Sequence, residues 1–223
     1  MSHLLLQNIK FDSIKLVIFD LDGTLADTSE GILNSHKEAH MAMGRPIPSD
    51  DVLYSVIGGP LLDTYQSVFH FSVGDATEAV RIYREWYSEY GIHQAKLYPG
   101  MNELLRKMRD SGLLAGIATL KAEQFAKIMM EELKVGSLFS FIYGMNAGDT
   151  LTKAQLIQKC MSAAAVKPEE TCMIGDSIHD MKGAQQCNVP FIGVSYGFGF
   201  QKTDDLMFPL CGSAKDIERL LML

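Results

Sequence analysis

Cysteine, proline and tryptophan are scarce: 4 Cys, 7 Pro and 1 Trp in 223 residues. Cys160, Cys172, Cys187 and Cys211 stand singly, with no CxxC pair and no Cys/His spacing suited to zinc. A disulfide framework or a metal cluster is thereby disfavoured, and buried free thiols are expected. No apolar run reaches the length that a bilayer crossing needs. The opening MSHLLLQNIKFDSIKLVIFDLDG passes through Lys10, Asp12 and Lys15 with no signal-peptide cleavage pattern, so a cytoplasmic, non-membrane protein is expected. Positive charge is also short, with 20 Lys and Arg against 27 Asp and Glu for a net charge of −7. That balance argues against a nucleic-acid surface, which needs concentrated cations, but it allows a local phosphate site. Internal repeats and low-complexity segments are absent as well. What is present, 47% hydrophobic and 21% charged residues, is ordinary globular composition that specifies a packed core.

The pattern of apolar residues divides the chain. Lys15 to Asp20, KLVIFD, reads as a buried strand that stops at an acidic, Gly-containing segment. From Thr28 to Tyr90 the spacing turns helical: Ile32, Leu33, His36, Ala39, His40 and Met43 share one broad face, and Val80, Tyr83, Trp86, Tyr87 and Tyr90 recur at three and four residues. After Pro99 and Gly100 strands and helices alternate. Helices are expected near 101–111, 123–133, 153–163 and 178–187, strands near 113–119, 139–144, 171–175 and 190–194, with a closing helix in DIERLLML. A first strand needs later strands on both sides to be buried, so the helical block interrupts one α/β core. The expected architecture is a Rossmann-like three-layer core with a mostly parallel sheet, 1–27 and 96–223, interrupted by a helical domain at 28–95.

Chemistry concentrates at strand ends. In FDLDGTLADT, Asp20 closes the first strand and Asp22 follows across a turn that Gly23 permits, so two carboxylates face one site. In CMIGDSIHDMKGA a second buried strand ends at Asp176, with Asp180 four residues on beside a helix start. Two acidic clusters from different strand ends suit a hard divalent cation, and oxygen donors without a cysteine cluster favour Mg²⁺ over zinc. The lone His179 reads as an outward residue. Between the clusters lie Thr119, at a strand end, and Lys153, just before a helix; a hydroxyl, backbone amides and an ammonium there suit phosphate oxygens.

These segments resemble, in order and separation, the four motifs of the haloacid dehalogenase-like phosphohydrolases: FDLDGT the first, Thr119 the second, Lys153 the third and GDSIHD the fourth. The resemblance covers essentially the whole chain and includes a helical cap between the first and second motifs. GDSIHDMKGA followed by VPFIGVSYGFG is most similar to the phosphoglycolate-phosphatase-like branch. It implies that Asp20 attacks phosphorus to form an aspartyl phosphate, and that Asp22 protonates the leaving oxygen and then activates water. Mg²⁺ would be held by the Asp20 carboxylate, the Asp22 carbonyl and Asp176, with Asp180 holding a water or orienting Lys153. Thr119, Lys153 and the amides of Gly23 and Leu120 would bind the transferring oxygens, with Lys121 nearby. Gly58, Gly59, Pro60 and Leu61 resemble the cap segment that meets the leaving group.

Some features depart from the family pattern. Leu120 and Ala122 stand in TLKAE where relatives carry a polar residue and a proline, and the Lys-Pro pair common at the third motif is missing. Lys167-Pro168 is a rival placement, but it lies too close to the next strand. The expected function is therefore a Mg²⁺-dependent phosphomonoesterase acting on a small phosphorylated metabolite, phosphoglycolate-phosphatase-like. The alternatives are a nucleoside 5′-monophosphatase, a sugar phosphomutase or a catalytically inactive phosphate-binding module. A dehalogenase would not need Asp22, Asp176 and Asp180, and a phosphonatase would lack the acid at Asp22. The GVSYGFG stretch, Gly193 to Gly199, lacks the strand–turn–helix context of a dinucleotide loop and reads as a loop beside the active site.

Overall fold

The computed structural model describes residues 11–146, 148, 150–201 and 208–223. In chain order the elements begin with β1 (Leu16–Phe19) and β2 (Ala26–Asp27), followed by α1 (Ser29–Ala42), α2 (Asp50–Ser55), α3 (Leu61–Asp63), which runs on into a π turn at Thr64–Val68, and α4 (Val73–Glu89). The chain then passes through β3 (Lys96–Leu97), α5 (Met101–Asp110), β4 (Leu114–Ala122), α6 (Glu123–Glu132), β5 (Phe141–Met145), α7 (Lys153–Ala164) and β6 (Thr171–Gly175). It closes with α8 (Ile178–Gln186), β7 (Phe191–Val194), β8 (Leu210–Cys211) and α9 (Ala214–Leu220).

Six strands form one sheet in the order β5-β4-β1-β6-β7-β8, and every ladder in it is parallel. All four residues of β1 are buried, which requires covered faces on both sides. Leu16 and Ile18 join a core cluster with Leu156, Ile157 and Cys160 of α7 and with Ala184 and Cys187 near α8. Alternation along the strand turns Val17 and Phe19 to the opposite face. Met101, Leu104, Leu105 and Met108 of α5 are buried, and α5 packs on β4 and α9. The result is an α/β, Rossmann-like core with an inserted helical cap.

By the density of its contacts the chain divides into two units, the described residues of Met1–Ala26 with Leu97–Leu223, and Asp27–Lys96. In the second unit α1 packs against α4. The core of that unit is built from Ile32, Leu33, Ala39, Leu53, Tyr65, Ala76, Ala79, Tyr83 and Tyr87. The aromatic stripe expected along α4 is only partly inside: Tyr83 and Tyr87 are buried and stacked, whereas Tyr90 is 49% exposed and Trp86 leans on it.

The helical unit also buries two imidazoles one turn apart. His36 meets the Tyr65 hydroxyl at 3.1 Å through Nδ1 and lies 4.7 Å from the Tyr83 ring, while His40 Nδ1 reaches the Pro46 carbonyl at 2.9 Å. Burial, and then the neighbouring His40, lower the His36 pKa to about 3; burial also lowers that of His40. A histidine held neutral in the folded state contributes stability above its unfolded pKa of about 6.5, and that stability is lost as pH falls toward the folded value. Acidification from pH 7 to 5 is expected to remove roughly 2 kcal/mol through His36, or about 5 °C of melting temperature. His36→Phe, with no proton to take up, should flatten that slope in thermal scans across pH; an unchanged slope would refute the assignment.

Candidate active site

The carboxyl end of β1 is where the sheet order reverses, because the chain pairs β4 on one side of β1 and β6 on the other. Open α/β sheets bind ligands at that switch point. Phe19 pairs with Ile117 and with Ile174, so the residues just beyond it, Asp20, Thr119 and Asp176, emerge from three adjacent strands. Asp20 stays tied to the ladder through its amide on the Ile174 carbonyl at 2.9 Å. After it the backbone turns tightly: Leu25 and Ala26 donate to the Leu21 carbonyl, and Gly23, at φ +80°, donates to Ala26. A side chain at that φ would be strained.

Lys153 enters from the first turn of α7, whose start is fixed by a reciprocal cap between Thr152 and Gln155. Its Nζ lies 2.6 Å from Asp20 Oδ1, 2.7 Å from Asp180 Oδ1 and 2.8 Å from the Ala118 carbonyl. Gly183 on α8 leaves room for this stem, since a Cβ there would come within 2.6 Å of Lys153 Cγ. Asp180 is held by its own cap, accepting from the Ser177 amide at 3.0 Å and hydroxyl at 2.6 Å. Burial disfavours the Lys153 ammonium, but Asp180 and Asp20 outweigh it and hold its pKa above the ordinary lysine value.

One ammonium does not neutralise this set. Oxygens of Asp20, Asp176 and Asp180, all buried, lie within 4.8 Å of one another. Burial pushes Asp20 up to about 8 against the pull of Lys153, with Asp180, Asp176 and Asp22 adding to the rise. Burial and Asp180 push Asp176 up to about 6, although the amides of Phe198 and Gly199 oppose it. Crowded, buried carboxylates with an oxygen-only donor set are what a hard divalent cation neutralises, so the residues fit such an ion.

The opposite wall is built by β4. This strand runs on to Ala122, past the expected end at Thr119, but its register against β5 shifts between Ala118 and Ala122. Thr119 is buried, and its Oγ1 accepts the Lys121 amide at 3.1 Å, which leaves the hydroxyl proton free to donate elsewhere. Lys121 Nζ reaches Asp22 Oδ1 at 2.8 Å, both side chains being almost fully buried. Leu120 is half-buried.

Asp20, Asp22, Gly23, Thr119, Leu120, Lys121, Lys153, Asp176 and Asp180 thus belong to the sheet-bearing unit. Gly58, Gly59, Pro60 and Leu61 belong to the helical unit, where Gly58 (φ +83°) and Pro60 lead into α3. His179 is exposed, and Lys167 is exposed at the start of a 3-10 turn. Sequence reasoning passed over Thr24, whose Oγ1 lies 3.4 Å from Asp176 Oδ1, and the amides of Phe198 and Gly199, at 2.7 and 3.3 Å from Asp176 Oδ2. The alternating glycines of YGFG were the available signal, because backbone approaches a carboxylate this closely only where side chains are small.

A model of the family described as haloacid dehalogenase-like hydrolase matches residues 17–194. The chain is 36% identical over 184 residues to a 5′-nucleotidase from Pseudomonas aeruginosa, spanning 82% of this chain and 83% of that protein. It is 32% identical over 190 residues to tyrosine-protein kinase PtkA from Mycobacterium tuberculosis, spanning 84% of this chain and 64% of the kinase. A solved haloacid dehalogenase-like hydrolase from Streptococcus pneumoniae superposes with a TM-score of 0.87 at 30% identity, covering 94% of this chain and 99% of that one.

Proposed function

Because the chain belongs to the haloacid dehalogenase-like hydrolases, we propose that it is a Mg²⁺-dependent phosphomonoesterase of small phosphorylated metabolites, working through an aspartyl phosphate on Asp20. The observation that carries this reading is Asp20 itself, at the sheet's switch point, with one oxygen fixed by Lys153 at 2.6 Å. A buried nucleophile with one oxygen pinned presents the other in a set direction.

Asp20 Oδ2 attacks phosphorus, and the bond to the leaving oxygen breaks as Asp22 gives that oxygen a proton. Asp22 then takes a proton from the water that cleaves the aspartyl phosphate, which regenerates both acids and releases inorganic phosphate. The Thr119 hydroxyl, the amides of Gly23 and Leu120, and the Lys153 ammonium bind the phosphoryl oxygens, while Lys121 shares its charge between those oxygens and Asp22. Asp20, the Asp22 carbonyl and Asp176, with Asp180 beside them, would hold Mg²⁺, which when bound would supply the charge neutralisation that the carboxylates and a phosphate dianion together require.

The relatives narrow the reaction more than the substrate. A nucleotidase and a protein kinase, at similar identity to this chain, share phosphoryl transfer but not the molecule acted on. In the proposed division of labour, residues 1–27 and 96–223 perform that shared chemistry. The cap, 28–95, selects the leaving group, with Gly58, Gly59, Pro60 and Leu61 as its candidate contacts. The nucleotidase relative favours nucleoside 5′-monophosphates as a second reading beside phosphoglycolate. Four buried free thiols, Cys160, Cys172, Cys187 and Cys211, suit the reducing cytoplasm.

The test is phosphate release from phosphoglycolate, sugar phosphates, nucleoside monophosphates and pyrophosphate, compared by kcat/KM, with ATP and a tyrosine peptide as a separate arm. Turnover of one small monoester should vanish with chelator and return with Mg²⁺. Failure of Mg²⁺ to restore a folded preparation, or transfer to the peptide with no hydrolysis of small monoesters, would overturn the proposal.

A further inference from the structure

The loop after β7 is the one motif that the reaction above leaves without a task, and its hydrogen bonds converge on a single acid. Phe200 N donates to the Asp176 main-chain carbonyl at 2.9 Å, and Phe198 N and Gly199 N donate to Asp176 Oδ2 at 2.7 and 3.3 Å. The wrap closes because Gly197 has no side chain. A Cβ there would lie 2.3 Å from the Gly23 carbonyl and 2.5 Å from Asp176 Cβ.

The two loop amides both donate to Oδ2, whereas Thr24 Oγ1 meets Oδ1 at a long 3.4 Å. Oδ1 is therefore the oxygen with acceptor capacity to spare for a cation. What fixes the loop over Asp176 is Tyr196. Its hydroxyl donates to the Thr24 carbonyl at 3.0 Å, and its ring rests against Tyr98 with centroids 4.6 Å apart. That bond ties the loop to the same turn that carries Asp22 and Gly23. Just upstream, Ser195 N donates to the Cys211 carbonyl at 2.9 Å, so the loop is anchored at two successive residues before it reaches Asp176.

We infer that Tyr196 is a positioning residue for cation binding: it locks the 195–199 loop to the Thr24 carbonyl, so that the Phe198 and Gly199 amides hold Asp176 Oδ2 and turn Oδ1 toward the shared carboxylate cluster. The inference rests on the proposed Mg²⁺ site and adds the element that orients one of its ligands. Groups that hydrogen-bond a metal-ligating carboxylate set its direction and its affinity for the metal, and losing one weakens binding by about 10-fold or more.

Tyr196→Phe keeps the ring and removes the hydroxyl. The experiment titrates wild type and Tyr196→Phe with MgCl₂ alone, without substrate, by isothermal titration calorimetry and by the Mg²⁺-induced shift in melting temperature. Mg²⁺ affinity is expected to fall about 10-fold in the variant. In turnover assays, the Mg²⁺ concentration for half-maximal rate should rise by a similar factor, while the limiting kcat at saturating Mg²⁺ drops by less than about 3-fold. Gly197→Ala, which retains the Tyr196 hydroxyl but sets a Cβ against the Gly23 carbonyl and Asp176 Cβ, should weaken Mg²⁺ binding in the same assay. Wild-type affinity in Tyr196→Phe would overturn the inference, and so would a lower melting temperature in chelator with Mg²⁺ affinity unchanged, the mark of a merely structural role. A folded wild type that takes up no Mg²⁺ would instead overturn the metal reading on which the inference rests.

Discussion

Asp20→Asn is expected to lower phosphate release by about 10⁴-fold or more, the largest effect of any single change in this chain. The amide keeps the shape of the carboxylate and can still accept from Lys153, now 2.6 Å from Oδ1. What it loses is the anionic oxygen that attacks phosphorus. Folding should not suffer. Asp20 is raised to about 8 by burial and by its acidic neighbours, so its ionised form is disfavoured in the folded state, and a group with a raised folded pKa takes stability away as pH climbs from its unfolded value toward 8. In Asp20→Asn, Lys153 keeps Asp180 and the Ala118 carbonyl at 2.7 and 2.8 Å, and relief of the burial and like-charge cost on Asp20 offsets the lost ion pair, so the metal-free melting temperature is expected to stay close to that of wild type. A phosphoenzyme trapped in wild type and mapped by mass spectrometry should carry the modification on Asp20; a label on another residue would overturn the assignment.

The parts of this site that were legible in the sequence share one physical signature. LVIF is wholly apolar and TCMIG nearly so, and both are buried throughout because both faces of a central parallel strand are covered; an acid placed directly after such a run has to sit at the strand's end. Asp20 and Asp176 follow from that alone. The two-residue strands β2, β3 and β8 have no periodicity to read, and they exist because a partner strand is near, which only the tertiary fold decides. The same holds for β4 beyond Thr119: TLKA carries no alternation, and its pairing with β5 resumes only after a shift in register. Tyr90 fits the helical spacing of its stripe yet caps the C-terminal end of α4, where it is 49% exposed. The hold on Asp176 was hidden for a different reason. Backbone amides perform it, and amides are identical at every position, so only the glycines that admit them leave a trace in the sequence.

Lys153→Ala is expected to lower kcat/KM by at least about 10²-fold, because it removes a fixed positive charge from the place where negative charge develops on the transferring phosphoryl group. Its effect on folding should exceed that of Asp20→Asn. The ammonium answers Asp20, Asp180 and the Ala118 carbonyl at 2.6, 2.7 and 2.8 Å, and truncation leaves all three buried without it. Breaking a buried ion pair from one side costs about 3 kcal/mol or more, so chemical denaturation in chelator should show a loss of that order. Mg²⁺ neutralises the same carboxylates, so adding it should restore more stability to Lys153→Ala than to wild type. Lys167 provides the contrast. It is exposed at the start of a 3-10 turn, where its amide donates to Glu170 at 3.0 Å. Lys167→Ala should therefore leave kcat/KM within about 2-fold and stability within about 0.5 kcal/mol. A reversed pair of results, with activity lost at 167 and kept at 153, would move the phosphoryl-binding lysine to the other loop and break the link between the Asp20 ion pair and catalysis.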